Sequence, residues 1–217
     1  MPWYVFALLD AKPSRPTGKG LSGPITLREI SGCYVAAERR ADVPPLELGA
    51  LKKHHLAVAR LWKGAPAVLP VRFGTLLESS DISDALDGRD AELAEAFDRV
   101  RGRGQFSWRA PRASRANSAA VNEPPSPTSG TEYLRRAAHA STPPARFSSI
   151  RRQLAPFIAA ERYEPSRPAL PETLYHLVDR KGIDAYLAAA SRIRASSPAP
   201  ALSGPFPPFA FVPELLR

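Results

Sequence analysis

The chain has 217 residues, 44% of them hydrophobic and 24% charged, with a formal net charge of +9; that apolar content suffices for one good core or two small ones. No run approaches the roughly 18 to 20 uninterrupted apolar residues of a membrane span, and the start, "MPWYVFALLDAKPSRP", shows neither a basic leader nor a small-residue cleavage site, so a cytoplasmic location is expected. The single cysteine, Cys33, excludes a disulfide framework and paired thiol chemistry, and within "SGCYVAAE" it reads as a small core residue.

In chain order, "WYVFALL" (3–9) has the composition of a buried strand, and "ITLREI" (25–30) with "CYVAAE" (33–38) predicts a hairpin across Ser31-Gly32. "PLELGALKKHHLAVARLWKG" (45–64) predicts a helix, with Leu51, His55, Val58 and Trp62 on its inner stripe and His54 in water. "AVLPVRFGTLL" (67–77) reads as a core strand ended by Gly74; alternation puts Leu69, Val71 and Phe73 on one face and Val68, Pro70 and Arg72 on the other. A second helix is expected over about 80–101, capped by Ser80 or Asp81, and "GQFSW" (104–108) closes the unit as a strand. This order predicts a small sheet with two helices against one face, close to a ferredoxin-like arrangement, and leaves the sheet's other face free.

Farther on, "TEYLRRAAHA" (131–140) reads as a short helix. "RFSSIRRQLAPFIAAERY" (146–163) reads as another that Pro156 bends or shortens, and "ETLYHLVDR" (172–180) as a strand. "KGIDAYLAAASRIRA" (181–195) predicts an amphipathic helix through Ile183, Tyr186, Leu187, Ala190 and Ile193, before an extended Pro/Phe tail in which the phenylalanines pack a closing strand. Residues 99–152 hold eleven arginines against Glu123 and Glu132, so all the excess charge lies there. Its "WRAPRASRANSAAVNEPPSPTSG" has no apolar period to offset the entropy of ordering. The expected organisation is an N-terminal modified ferredoxin-like α+β domain (1–109), a flexible, disordered Arg/Ser/Pro-rich linker (110–129), and a C-terminal α+β domain with leading helices and the tail (130–217).

Chemistry-bearing patterns are few. There is no phosphate loop, dinucleotide fingerprint, nucleophile elbow or zinc-spaced Cys/His set, so no catalytic, cofactor-binding or metal residue is assigned. His54 and His55, adjacent on a helix, point roughly 100° apart and lack a second ligand pair. His139 and His176 have no evident partner in sequence. Asp81, Asp84, Asp87 and Asp90 recur every three residues, which suits a solvated helix face and leaves a cation site or carboxylate dyad as the sharper reading. For Arg72 three readings stay open: a solvent-facing strand residue, a partner to a nearby acid, or part of a docking surface.

Together these pieces resemble the gas vesicle accessory family GvpL/GvpF. The motif residues are His55 and Val58, then Leu69, Pro70, Arg72, Phe73, Gly74 and Thr75 in "VLPVRFGTLL", Tyr133 and Leu134 in "EYLRR", and Gly204, Pro205, Phe206, Pro207, Pro208 and Phe209 in "SGPFPPFAFV". Phe206 and Phe209 stand where the family usually shows Trp and Tyr. The resemblance implies two α+β halves related to ferredoxin-like layouts and a non-enzymatic protein without cofactors. It further implies binding of the small apolar gas vesicle shell protein, in a chaperone or nucleation role alongside other accessory proteins, in the gas vesicle or cytoplasm. Arg72 is then the candidate partner-binding residue. The rival reading is a nucleic-acid binder using an open sheet face and the Arg-rich linker; the missing paired-aromatic strand motif argues against it.

Overall fold

The computed structural model describes residues 1–110, 142–167, 170–194 and 200–216. The segment expected as a linker, apart from Ala110, and the "EYLRR" stretch with Tyr133, Leu134 and His139 lie outside the described residues. Among the described residues the fold is mixed α+β, with two antiparallel sheets and five α-helices. The chain divides into two compact units, Met1–Gln105 with Pro205–Arg217, and Phe106–Gly204.

The first unit is built on β1 (Trp3–Leu9), buried at every position. The hairpin of β2 (Thr26–Ile30) and β3 (Cys33–Arg39) pairs Ile30 with Cys33 around Ser31 and Gly32, both at positive φ. Such a turn matches the twist of the strands it joins. A register shift between Val5 and Ala7 lets Tyr4, Phe6, Ala7 and Leu9 of β1 join one core cluster with Ala57, Val58 and Leu61 of α1 (Leu48–Gly64).

The expected strand over 67–77 is interrupted. β4 (Val68–Pro70) pairs with β1, and Val71 still donates its N–H to Phe6 O at 2.9 Å. At Arg72 the chain leaves the ladder, because the Arg72 carbonyl accepts both the N–H (3.4 Å) and the hydroxyl (2.9 Å) of Thr75, across a Gly74 with φ of +93°. Pairing with β1 resumes at β5 (Leu76–Leu77). Arg72 and Phe73 therefore belong to a turn, where strand alternation does not apply.

The helix expected over 80–101 is two helices, α2 (Ser79–Leu86) and α3 (Asp90–Val100), separated at Gly88, whose φ of +66° no right-handed helix accommodates. The cap is Glu78, earlier than expected, and its N–H donates to the Asp81 carboxylate at 3.3 Å. The expected free face of this sheet is absent. Val68 packs into the α1 cluster, yet Leu69, Val5, Leu8 and Val35 on the opposite face are as deeply buried. There α3 meets β4 and brings Leu93 and Phe97 beside Cys33. Strands read as half-buried thus carry helices on both faces, and an RNA-type platform on this sheet loses its basis.

β6 (Arg103–Arg109) does not close the first sheet; it is an inner strand of the second, ordered β7-β8-β6-β9. Before β7, a 3₁₀ turn at Ala145–Phe147 leads into α4 (Ser148–Leu154). A second 3₁₀ turn at Ala155–Phe157, holding Pro156, ends the helix, and "AERYE", expected to be helical, is β7 (Ala160–Glu164). β7 pairs antiparallel with β8 (Thr173–Asp179), Arg162 facing Tyr175. α5 (Ile183–Arg194) buries Tyr186, Ala190 and Ile193 with Trp108, Phe147, Ile150 and Leu174, while Leu187 remains exposed. β9 (Ala201–Phe206) completes the sheet, and the rest of the tail forms 3₁₀ turns at Phe209–Phe211 and Glu214–Leu216 instead of a continuous strand.

Candidate functional site

Three segments far apart in sequence meet in the first unit around an apolar cleft of about 470 Å³. α1 contributes Leu51, His54 and His55; the end of β4 and the following turn contribute Pro70, Arg72 and Phe73; the tail contributes Phe209, Val212 and Leu216. The volume falls in the range of ligand pockets. Hydrogen bonds and rings fix its walls. The Arg72 N–H donates to Leu216 O at 3.0 Å, which ties the turn to the tail. His55 stacks on Phe209 (centroids 5.7 Å apart, 16° between planes) and meets the edge of Phe206 at 5.7 Å. Offset and edge-on contacts of this kind add roughly 0.5–1.5 kcal/mol each beyond area burial.

His54, expected in water, turns into the core, while His55 keeps the semi-buried place expected of it. His54 is only 4% exposed, stacked on Phe6 and set edge-on to Tyr4 and Phe73, whereas His55 is half-buried against the tail. The Tyr4 hydroxyl accepts the Gly74 N–H at 3.2 Å, so its own proton is free to point at His54 Nδ1, 2.9 Å away. Burial pushes His54 down to about 4; the Val71 carbonyl pulls it up and neighbouring His55 pushes it down further. Its Nε2 is buried without a hydrogen-bond partner among the described residues.

Arg72 is exposed, and its guanidinium has no hydrogen-bond or ion-pair partner among the described residues. Of the other motif residues, Val58, Leu69 and Pro70 are core, Phe73 is half-buried on the α1 cluster, and Thr75 holds the turn. Gly204 lies in β9 at positive φ, Pro205 follows it, and Pro207 and Pro208 are buried where the tail turns toward Phe209. The sequence reading missed Tyr4, His54, Val212 and Leu216. A surplus of leucines on α1 was the available signal, since one inward stripe cannot use them all.

The second unit holds a more deeply buried counterpart. The Tyr186 hydroxyl accepts the Trp108 Nε1–H at 2.8 Å and lies 3.0 Å from Nδ1 of a fully buried His176. His176 Nε2 is 3.5 Å from Glu161, which also receives Arg151 at 2.7 Å. Burial lowers the His176 pKa against the pull of Glu161, and burial raises that of Tyr186. A smaller cavity of about 270 Å³ in the first unit is lined by Cys33, Asp90 and the Asp10–Arg101 ion pair. Burial, then Asp90, pushes the Cys33 thiol up to about 11, which keeps it protonated. The four aspartates picked for their spacing do not share one helix: Asp81 and Asp84 are on α2, Asp87 caps it, and Asp90 begins α3. Among the described residues no group of His, Cys, Asp or Glu is placed to hold a metal ion, and no helix is long and apolar enough to cross a membrane.

These features define an α+β protein whose developed site is an apolar, singly cationic cleft built by its most distinctive sequence motifs. The chain belongs to the GvpL/GvpF family: it matches the family described as "Gas vesicle synthesis protein GvpL/GvpF" over residues 2–213, which assigns it a role in gas vesicle formation. Its fold resembles that of gas vesicle protein GvpF from Anabaena sp. PCC7120, with a TM-score of 0.70 and 13% identity, over 98% of this chain and 96% of that one. GvpF from Microcystis aeruginosa is similar at a TM-score of 0.68 and 13% identity, over 97% of this chain and 98% of that one. No curated protein matches the sequence.

Proposed function

We propose that the chain acts as a non-enzymatic assembly factor that binds the small, apolar gas vesicle shell protein, keeping it from premature aggregation or starting the wall. Family membership supplies the process; the distribution of exposed apolar side chains supports the action. Among the described residues, five of the eight exposed large hydrophobics (Val43, Leu46, Leu48, Leu51 and Leu56) fall between positions 43 and 56, and Leu51 is also cleft wall. Exposed apolar side chains gathered on one stretch of chain support a protein-interaction role, whereas leucines scattered singly would not. A subunit that must enter a wall has apolar faces that self-associate in water, and a protein offering it a temporary apolar surface lowers the free subunit concentration. The two units remain candidates for ferredoxin-like relatives, a relationship that α–β layering supports in each.

The test is affinity recovery of the tagged full chain from cells co-expressing the shell protein. Shell protein retained through a moderate-salt wash is the expected result. Its absence from the recovered fraction, with the chain folded by circular dichroism, sinks this reading.

A further inference from the structure

We infer that the outer stripe of α1 and the adjoining cleft form one docking site for an amphipathic helix of the partner that carries a carboxylate for Arg72. The inference rests on the shell-binding reading and specifies the surface and the chemistry that recognises the partner.

α1 bears two apolar stripes. The inward one, through His54, Ala57, Val58, Leu61 and Trp62, belongs to the core. The outer one flanks it and runs through Leu48 (67% exposed), Leu51 (37%) and His55, at i, i+3 and i+7. That is the spacing of a helix offering a ridge to another helix. It extends over roughly 10 Å, about two turns. The stripe runs into the cleft, because Leu51 and His55 are also cleft wall. Beside the Arg72–Thr75 turn, Val43 Cγ1 lies 3.7 Å from the point a Cβ on Gly74 would occupy. The apolar surface therefore flanks the turn that presents Arg72.

Charge selects among apolar partners. α1 carries Lys52, Lys53, Arg60 and Lys63 and no acidic residue. Arg72 is the cleft's sole charged lining residue, its backbone held at both ends by Leu216 and Thr75 while its guanidinium stays unpaired among the described residues. A fixed cation over an apolar floor gains most from a carboxylate on the rim of an apolar helix, through a short charge-assisted bond. Seating a leucine-sized side chain in the cleft while Arg72 takes the acid sets both depth and register. A bilayer surface is a poorer fit: α1 has the neighbouring stripe committed to the core, and the recess beside it is concave, where a flat interface leaves it empty.

The experiment uses the full chain and the co-expressed shell protein as probe, with Leu48→Glu/Leu51→Glu, Arg72→Glu, and Leu187→Glu as a control equally exposed to Leu51 but in the second unit. The expected result is recovery reduced about tenfold or more for the leucine pair and for Arg72→Glu, as for truncated interface anchors, with Leu187→Glu matching the parent. Arg72→Glu decides the outcome if the leucine pair alters folding, since an exposed turn residue leaves the melting temperature in place. Variants that bind like the parent overturn this surface while the shell-binding reading stands. A parent that recovers no shell protein overturns both. Loss of self-association or of binding to anionic vesicles, in place of loss of shell protein, assigns the surface to another occupant and overturns the proposal.

Discussion

Each unit contains a buried histidine bonded through Nδ1 to a tyrosine hydroxyl that also accepts an N–H, and the two motifs differ in what surrounds them. In the first unit Tyr4 takes a backbone proton from Gly74, and His54 lines a cleft that water or a partner can reach. In the second, Tyr186 takes the Trp108 indole proton, and His176 is fully enclosed with Glu161 beside its far nitrogen. The same local chemistry closes a core in one place and backs a surface in the other. Neither Nε2 has a hydrogen bond among the described residues, but His176 has the Glu161 carboxylate 3.5 Å away in the interior, whereas His54 stands behind a cleft from which it can be completed.

Removing the two hydroxyls should separate the two units most. Tyr186→Phe strands both the Trp108 indole and His176 Nδ1 in the dry interior, at about 1–3 kcal/mol for each group, or about 2–6 kcal/mol in all. Tyr4→Phe strands Gly74 N–H and His54 Nδ1 next to the cleft, where solvent can repair part of the loss, so about 1–2 kcal/mol is expected. Urea denaturation of the full chain measures both. Equal losses would mean that the cleft is as dry as the second core.

Next in size is pH. His54 has its pKa depressed, so it is neutral in the native state near neutrality while the unfolded chain takes up a proton below its ordinary value near 6.5. Stability is then full above that value and falls as pH drops toward about 4, by about 3 kcal/mol across the window. His54→Phe should flatten the curve between pH 6.5 and 4, by equilibrium denaturation at several pH values. His176 shifts in the same direction through burial, but Glu161 gives its proton a counter-charge, so its share of the acid loss is expected to be smaller. A curve left unchanged by His54→Phe would assign the acid sensitivity to the second unit.

Much of this architecture is written in local pattern. "WYVFALL", the hairpin around Ser31-Gly32, and "ETLYHLVD" are strands where composition and turn chemistry place them, because each signal is contained within a few residues. Failures occur where distant contacts decide. "VRFGT" has strand composition, but the Arg72 N–H finds Leu216, 144 positions away, and the Arg72 carbonyl finds Thr75, so a turn wins over a continuous ladder. The inward turn of His54 has the same origin. Helical period alone fixes a stripe only to within one residue's rotation, and Tyr4 and Phe6 on another strand choose which histidine faces them. β6 could not be assigned to the second sheet from its own residues, since pairing partners are absent from a strand's sequence. The cleft was legible in part: Arg72, Phe73, His55 and Phe209 stand out as motif pieces, while their meeting in one place is a property of the tertiary fold.

The smallest stability effect belongs to the residue expected to matter most for binding. Arg72→Ala removes an exposed side chain without an ion pair among the described residues, and its backbone bonds to Leu216 and Thr75 survive the change. The expected shift in unfolding free energy is within about 0.5 kcal/mol, as for surface positions free of caps, cavities or buried charge. Gas vesicle formation, scored by buoyancy or electron microscopy of cells carrying the variant, should nevertheless fall. That separation distinguishes a cation kept for a partner from one kept for the fold. Normal vesicles in Arg72→Ala cells would leave the cleft as a packing seam between α1 and the tail; a large stability loss would mean that the guanidinium serves the turn itself.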